Sequence, residues 1–404
     1  MTNIEVRPAN AEEMEEYGFV VNTALASHVR PHRDPTVEMR PEWTLCVFED
    51  GELCTTSGAW PFSMRFNGER IAVAGVSAVG TLPSKRRRGF VRRLTLQAFR
   101  DQRDRGQSIA ILYASLAAIY QRYGYSVAAA EYDYSIDPLD VRFASGPEPT
   151  GQVRITDSSE LPLLKDLYRA FAEPRNGLVH RGEALWRAGP FADEESKDGP
   201  RYVAVYEEEG QALGWAIYTN REAEFHDPAE RSQLLTVRDL GWLTPSAYVA
   251  LWRHLGAHDL VRRIHVRNAP EDDPIFYLLE EPRRLRRRAR DGIMLRVVDV
   301  ERALPQRPYG APASLTFELF DEQCDWNQGV WELETDGRSG EVRRSRRVPQ
   351  LRMSAHALGA MVNGYLAPTA LARMGRLDVA DHASLEEWDR AFATAYRPHC
   401  MNSF

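Results

Sequence analysis

Residues 78–91 read AVGTLPSKRRRGFV, a run of small and apolar residues that passes through Pro83 into four consecutive bases, Lys85 to Arg88, and then Gly89. A new amphipathic pattern follows. Strand end, glycine-bearing loop and helix start, in that order, are what a phosphate-binding turn requires, because the first N–H groups of a helix have no intrahelical acceptor and carry the positive end of its dipole. The stretch therefore predicts a cationic strand-to-helix turn that holds a phosphorylated co-substrate. A plain basic surface patch or a localisation signal is the competing reading.

Upstream, residues 4–7 read as a strand, and Asn10 caps a helix over 11–26. Strands follow at 43–49 and 52–57. Asn67-Gly68 is a type I′ turn signal joining strands near 60–66 and 70–81, the second of them small or apolar on both faces and so central. Downstream, Phe90, Val91, Leu94 and Ala98 define a helix ending near Gly106. IAILYAS at 109–115 is a buried strand, LAAIYQRY a short helix, and 126–136 one long alternating strand.

Residues 137–150 carry three prolines and read as a linker. From 152 the plan repeats: a strand, a helix boxed by Asp157 and Glu160, a helix at 182–188, strands at 201–207, 212–219 and 231–240, a helix opened by Thr244-Pro245 and a strand at 261–266. No basic glycine turn precedes that last helix. The second unit is thus expected to be a duplicate that lacks the cofactor loop. A third region, with strands near 293–299, 314–320, 329–335 and 341–353 and helices near 354–363 and 368–374, ends in a helix boxed by Ser384 and Glu387 and running to about Tyr396. The tail RPHCMNSF follows. The fold class expected is mixed α/β, divided as 1–136, a linker at 137–150, 151–290 and 291–404.

The chain of 404 residues is 43% hydrophobic and 27% charged, and it carries a net charge of −7. At about 150 residues per domain this means two or three domains, and no apolar run approaches the roughly 18 residues that cross a bilayer. With no signal peptide either, a cytoplasmic location without membrane partners is expected. Six arginines at 283–290 stand out, but an acidic chain without an aromatic platform argues against nucleic acid, and a solvated face or inter-domain ion pairs fit them better. Cys46, Cys54, Cys324 and Cys400 lack paired spacing, so neither disulfides nor a metal site is expected.

The pattern Arg86-x-x-Gly89-x-Val91 resembles the pyrophosphate loop of the GNAT superfamily of acyl-CoA N-acyltransferases, with Val91 in place of its final small residue. Together, VSAVGTLPSKRRRG, ASLAAIYQRYGY, a second unit without a cofactor loop, GIMLRVVDVERAL and an aromatic last residue resemble the enhanced-intracellular-survival (Eis) family of acetyltransferases across the whole chain. The resemblance implies two tandem GNAT-like domains and a C-terminal domain similar to sterol carriers, with acetyl-CoA as co-substrate and no metal. It places Val79, Gly80 and Thr81 on the pantetheine and thioester, Arg87, Arg88, Gly89, Phe90, Val91 and Arg92 on the pyrophosphate, and Ser115 and Leu116 on the far side. Tyr120 would be the proton donor, though a tyrosine in such a helix also serves simply to pack, and the terminal carboxylate, here that of Phe404, would be the acceptor.

The family's acceptors include polyamine antibiotics such as aminoglycosides, so a polyamine-like small molecule is expected, and its members form hexamers. Ala78 stands where the family often has a bulkier aromatic residue, and Asp34, Glu38 and Glu42 do not align with its acidic wall. A non-catalytic acyl-CoA or lipid-binding protein and a protein-lysine acetyltransferase are the alternatives.

Overall fold

A computed structural model describes residues 3–27, 38–192, 199–223 and 231–404. The chain forms two compact units. One comprises the N-terminal segment to Ala129, residues 292–398 and Phe404; the other comprises 130–291 and 399–403.

In the first unit the chain begins with β1 (Ile4–Arg7), α1 (Met14–Leu25) and β2 (Thr44–Glu49). It continues through β3 (Glu52–Phe66), β4 (Glu69–Thr81), α2 (Phe90–Asp104), β5 (Ile109–Leu112), α3 (Ala117–Gln121) and β6 (Ser126–Val127). The strands expected at 52–57 and 60–66 are one continuous β3, since residues of both segments pair with β4, Thr55 opposite Thr81 and Pro61 opposite Ala74. Asn67 and Gly68 turn the hairpin with φ of 51° and 97°, as its sequence signal requires. Helix α2 buries Phe90 and Leu94 against Leu45, Val47 and Cys54 on one sheet face. On the other face α1 buries Tyr17 and Val20 against Cys46, Phe48 and Leu53.

The strand expected over 126–136 is broken. Ala128 and Ala129 separate β6 from β7 (Ala130–Ile136), and the two lie in different sheets. Both alanines are fully buried, so an alternating apolar pattern persists through a point where the chain leaves one sheet for another. In the second unit β7 is followed by β8 (Gln152–Thr156), α4 (Leu161–Ala172), α5 (Glu183–Ala188), β9 (Arg201–Glu208), β10 (Gln211–Glu222) and β11 (Gln233–Trp242). Then come α6 (Pro245–Gly256), β12 (Val261–Pro270), α7 (Ile275–Leu278) and β13 (Arg286–Asp291). The sheet order is β13-β7-β12-β11-β10-β9-β8, with α4 and α6 on opposite faces.

Two local expectations change here. Asp157 accepts from Ser159 N–H, but Glu160 closes no capping box; its carboxylate is taken by the Arg154 guanidinium at 2.6 Å. The arginine run forms the exposed edge strand β13, where Arg290 pairs with Glu131 and Asp133 and Arg287 stacks on Phe276 at 3.8 Å.

Residues from 292 onward return to the first unit with β14 (Met294–Val297), which inserts between β5 and β6 to give the order β1-β2-β3-β4-β5-β14-β6. The sequence placed this strand in a third domain. It belongs to the first sheet because its four buried residues meet Ile109–Leu112 in antiparallel register. After α8 (Val300–Ala303) comes a five-stranded sheet of β15 (Pro312–Phe320), β16 (Gly329–Asp336), β17 (Gly340–Arg344), β18 (Leu351–Ser354) and β19 (Leu377–Val379). With it pack α9 (Ala355–Val362), α10 (Pro368–Arg373) and α11 (Leu385–Phe392).

The strand expected over 341–353 is likewise two, β17 and β18. Nor do Ser384 and Glu387 form a box: Asp381 caps the short turn before α11, and Glu387 accepts instead from Ser314 N–H. The tail does not hang free. Within the second unit His399 N–H donates to Asn176 O, Asn268 donates to Cys400 O, and His399, Cys400 and Asn402 are buried.

Candidate active site

Parallel pairing of β4 with β5 covers only Val73–Gly75 against Ile109–Ile111. Beyond Gly75 the strands part, so the β5-facing edge of residues 76–81 is left without a strand partner. Register against β3 slips in the same segment: Thr56 faces Gly80 while Gly58 faces Ser77, which puts one extra residue on β4. This is a β-bulge, with Ala78 at a φ of 53°. The Thr56 hydroxyl donates to the Ala78 carbonyl at 3.0 Å, and the Thr55 and Thr81 hydroxyls lie 3.0 Å apart. The bulge re-aims the backbone of Val79, Gly80 and Thr81 beside the open edge.

The cationic turn leads directly from this edge into α2. Gly89 is its N-cap at a φ of 80°, no side chain caps the helix, and the first helical bond is Arg93 N–H to Gly89 O at 3.1 Å. The N–H groups of Phe90, Val91 and Arg92 therefore have no acceptor within the helix. Of the four bases, Arg86 is spent on Thr81 O and Ala24 O. Arg88 forms a two-pronged pair with Glu49, and Lys85 bridges Glu49 and Glu52 at 3.0 and 2.6 Å. The hydrogen bonds to Glu52 and Glu49 raise the Lys85 pKa. Arg87, exposed and in a left-handed conformation, makes no ion pair among the described residues, nor does Arg92. The turn is thus braced by Glu49, a residue that sequence reading passed over, and it presents Arg87, Arg92 and a row of N–H groups to an anion.

Tyr120 projects from α3 into the cluster under α2 that holds Ala74, Phe99, Ala110 and Tyr125, its ring edge-on to Tyr125 at 6.0 Å. Burial raises its pKa above the usual phenol value, which keeps it protonated at neutral pH. Ser115 and Leu116, just before α3, are exposed.

Phe404 sits on the opposite face of the sheet. Its ring is edge-on to Phe62 at 5.0 Å and tilted against Tyr113 at 5.4 Å. A Cβ on Gly75 would come within 3.3 Å of the Phe404 ring and 2.4 Å of the Phe62 ring, so glycine is required where these aromatics close on the strand. The last residue of the chain therefore lies at the residue pair where β4 and β5 separate. Gly75, Phe62 and Tyr113 were not singled out from sequence; a glycine inside a strand was the one available signal. Of the acidic residues considered for an acceptor wall, Glu38 and Glu42 are exposed, and Asp34 lies outside the described residues.

The second unit has the same order, β11 then α6 then β12, but its helix start is already filled: Thr244 caps α6 by accepting from Ala247 N–H at 3.2 Å. No glycine or base stands in that turn, so no comparable anion seat exists there.

Comparison with known proteins agrees with this architecture. Residues 5–128 and 177–297 each match an acetyltransferase (GNAT) domain, and 300–401 match a sterol carrier protein domain. An uncharacterised N-acetyltransferase of Streptomyces avermitilis is 31% identical over 362 residues, 88% of each chain. The N-acetyltransferase Eis of Mycobacterium bovis is 27% identical over 383 residues, 88% of this chain and 90% of that one. The crystal structure of Eis1 from Mycobacterium abscessus superposes with a TM-score of 0.88 at 27% identity, covering 99% of this chain and 100% of that one. The chain belongs to the Eis-like family of GNAT N-acetyltransferases, and it is an acetyltransferase of the class that uses acetyl-CoA as co-substrate.

Proposed function

We propose that the protein acetylates primary amines of polycationic small molecules, of the aminoglycoside kind, in a sequential reaction at the strand gap of the first unit. The observation that carries this reading is the Phe404 ring seated at Gly75, where the strands part. In this reading the pyrophosphate of acetyl-CoA takes the N–H groups of Gly89, Phe90, Val91 and Arg92 with Arg87, while Arg88 shapes the turn through Glu49 and Ser115 and Leu116 border the far side. The pantetheine runs along the bulged edge of Val79, Gly80 and Thr81, whose N–H groups polarise the thioester carbonyl.

The acceptor amine is a cation at neutral pH and becomes a nucleophile only on losing a proton, which passes to the Phe404 α-carboxylate directly or through water. Amine nitrogen then bonds to the carbonyl carbon, the C–S bond breaks, and Tyr120, held protonated by burial, gives its proton to the departing thiolate, while the second proton that nitrogen sheds as the amide forms passes through water and restores the Tyr120 phenol. Anchoring Phe404 by aromatic contacts gives an otherwise frayed chain end a fixed position.

The test is a pair of variants assayed with acetyl-CoA and a panel of aminoglycosides, polyamines and lysine peptides. Extending Phe404 by one glycine moves the carboxylate, and Tyr120→Phe removes the donor. Each is expected to lower kcat by about 10²-fold or more while coenzyme A binding stays within about twofold of wild type. Unchanged kcat in both variants overturns the proposed roles, and turnover confined to peptides overturns the substrate class.

A further inference from the structure

The second unit retains the strand gap of the first without its cationic turn. Parallel pairing of β11 with β12 ends at Val237 and Val266, as that of β4 with β5 ends at Gly75 and Ile111. Val237 and Val266 face α6. On the other face, which in the first unit carries Phe404 and Tyr113, the second unit has a cleft of about 290 Å³ whose lining comes from that unit alone. Such a volume suits a small metabolite.

Four adjacent strands build the cleft. β10 supplies Arg221, β11 Leu234 and Thr236, β12 His265 and Arg267, and β7 Asp133. Arg221 lies opposite Leu234 and Thr236 opposite His265, so strand pairing places these side chains on one face. Arg263, two residues before His265 on β12, is a third guanidinium close enough to act on the imidazole.

In a chain with a net charge of −7 these cations would be expected to find carboxylates, as Arg154, Arg231 and Arg253 do elsewhere in the unit. They do not. Among the described residues Arg267 has no ion pair or hydrogen bond, and Arg221 reaches only the Glu222 carbonyl at 3.4 Å. The one carboxylate among the described lining residues, Asp133, is engaged by Arg290 at 3.2 Å, and its buried Oδ1 has no hydrogen-bond partner among the described residues. Burial and the three arginines depress the His265 pKa, so the ring is neutral and the cleft carries positive potential with an unused acceptor.

We propose that this cleft is a binding site for a small oxyanion, a phosphate ester or a di- or tricarboxylate, held by Arg221 and Arg267 with His265 and Thr236 as further partners and a ligand hydroxyl donating to Asp133. Arginine forks match either kind of oxyanion. The gap that in the first unit is read as the seat of group transfer is, in the second, a seat for a negative ligand. The assignment stands independently of the acceptor proposed for the first unit.

The experiment is calorimetric titration of the full-length protein with inorganic phosphate and, separately, with citrate, with coenzyme A saturating throughout so that the turn at Gly89 is closed. We expect millimolar or tighter binding of at least one anion, weakened at least about tenfold in the Arg221→Gln/Arg267→Gln double variant. Coenzyme A affinity should be unchanged in that variant. Tighter phosphate identifies a phosphate-ester site, and tighter citrate a carboxylate site. Because the double variant can fail on folding grounds, the His265 C2–H resonance of the wild-type protein is followed in the same titrations, and it should shift with the anion that binds. No binding of either anion up to about 20 mM, or binding that leaves the His265 resonance unmoved or persists undiminished in a folded double variant, overturns the proposal.

Discussion

Thr56 illustrates how much of the transfer site depends on residues that never touch the chemistry. Its hydroxyl donates to Ala78 O at the bulge, and Ala78 holds a φ of 53° that an alanine does not adopt unsupported. Replacing Thr56 by valine keeps the shape and removes the bond, at a cost of about 1 kcal/mol. Because the bulge sets the direction of the Val79–Thr81 backbone, that cost should appear as a fall of about fivefold in kcat/KM for acetyl-CoA. Steady-state kinetics beside thermal melting would check it; a variant of lower Tm with unaltered kcat/KM would mean that the bond serves stability alone. At this scale the sequence was legible wherever chemistry is local. Gly89 had to be glycine for the turn, whereas Thr56 acts on Ala78, Glu49 on Arg88 and Gly75 on Phe404, partners brought near only by the fold, and their neighbours in sequence carry no sign of it.

Elements were read well where periodicity and caps agree and poorly where they compete. Helix α2 and the cap of α6 follow the pattern of their residues. The boxes expected at Asp157/Glu160 and Ser384/Glu387 fail because Arg154 and Ser314 N–H outbid the helix ends for the glutamates. Just before the short helix α7 lies a titration that no spacing suggests. Asp273 is 4% exposed, accepts from Ile275 N–H at 3.0 Å and from the Tyr248 hydroxyl, and is pushed by burial up to about 6. A carboxyl raised from an unfolded value of about 3.9 gives a proton-linked stabilisation that is whole below pH 4 and lost as pH rises through about 6. Asp273→Asn keeps an acceptor and abolishes the titration. The Tm of the variant should therefore gain on that of wild type between pH 4 and pH 7, measured by melting across that range, and a constant difference would refute the assignment.

For the whole molecule, the long-range fact is that residues 292–398 complete the first unit. Arg296 on β14 is fully buried, and its Nη2 lies 2.6 Å from both carboxylate oxygens of Asp321. Asp321 also accepts from Cys324 N–H and from Asn327, whose side chain reaches back to Val298 O. Removing the aspartate strands a buried cation. Asp321→Ala should destabilise by about 3–5 kcal/mol, seen as a lower urea midpoint, and adding Arg296→Met should recover much of the loss. If the double variant is no better than the single one, the pair is not what holds β14 to the following segment.

The sequence by itself determined the main helices, most of the strands, the cationic turn with its glycine, the duplication and the absence of a comparable turn in the second copy. All but the duplication are written in residues within about 15 positions of one another, where hydrophobic period, caps and turn chemistry act directly. Only the tertiary structure decided that 126–136 is two strands in two sheets, that β14 returns to the first sheet, that Arg88 is tied to Glu49, and that Phe404 rests at Gly75. Strand order and burial are set by which distant apolar faces fit together, and an apolar alternation looks the same whichever sheet it joins.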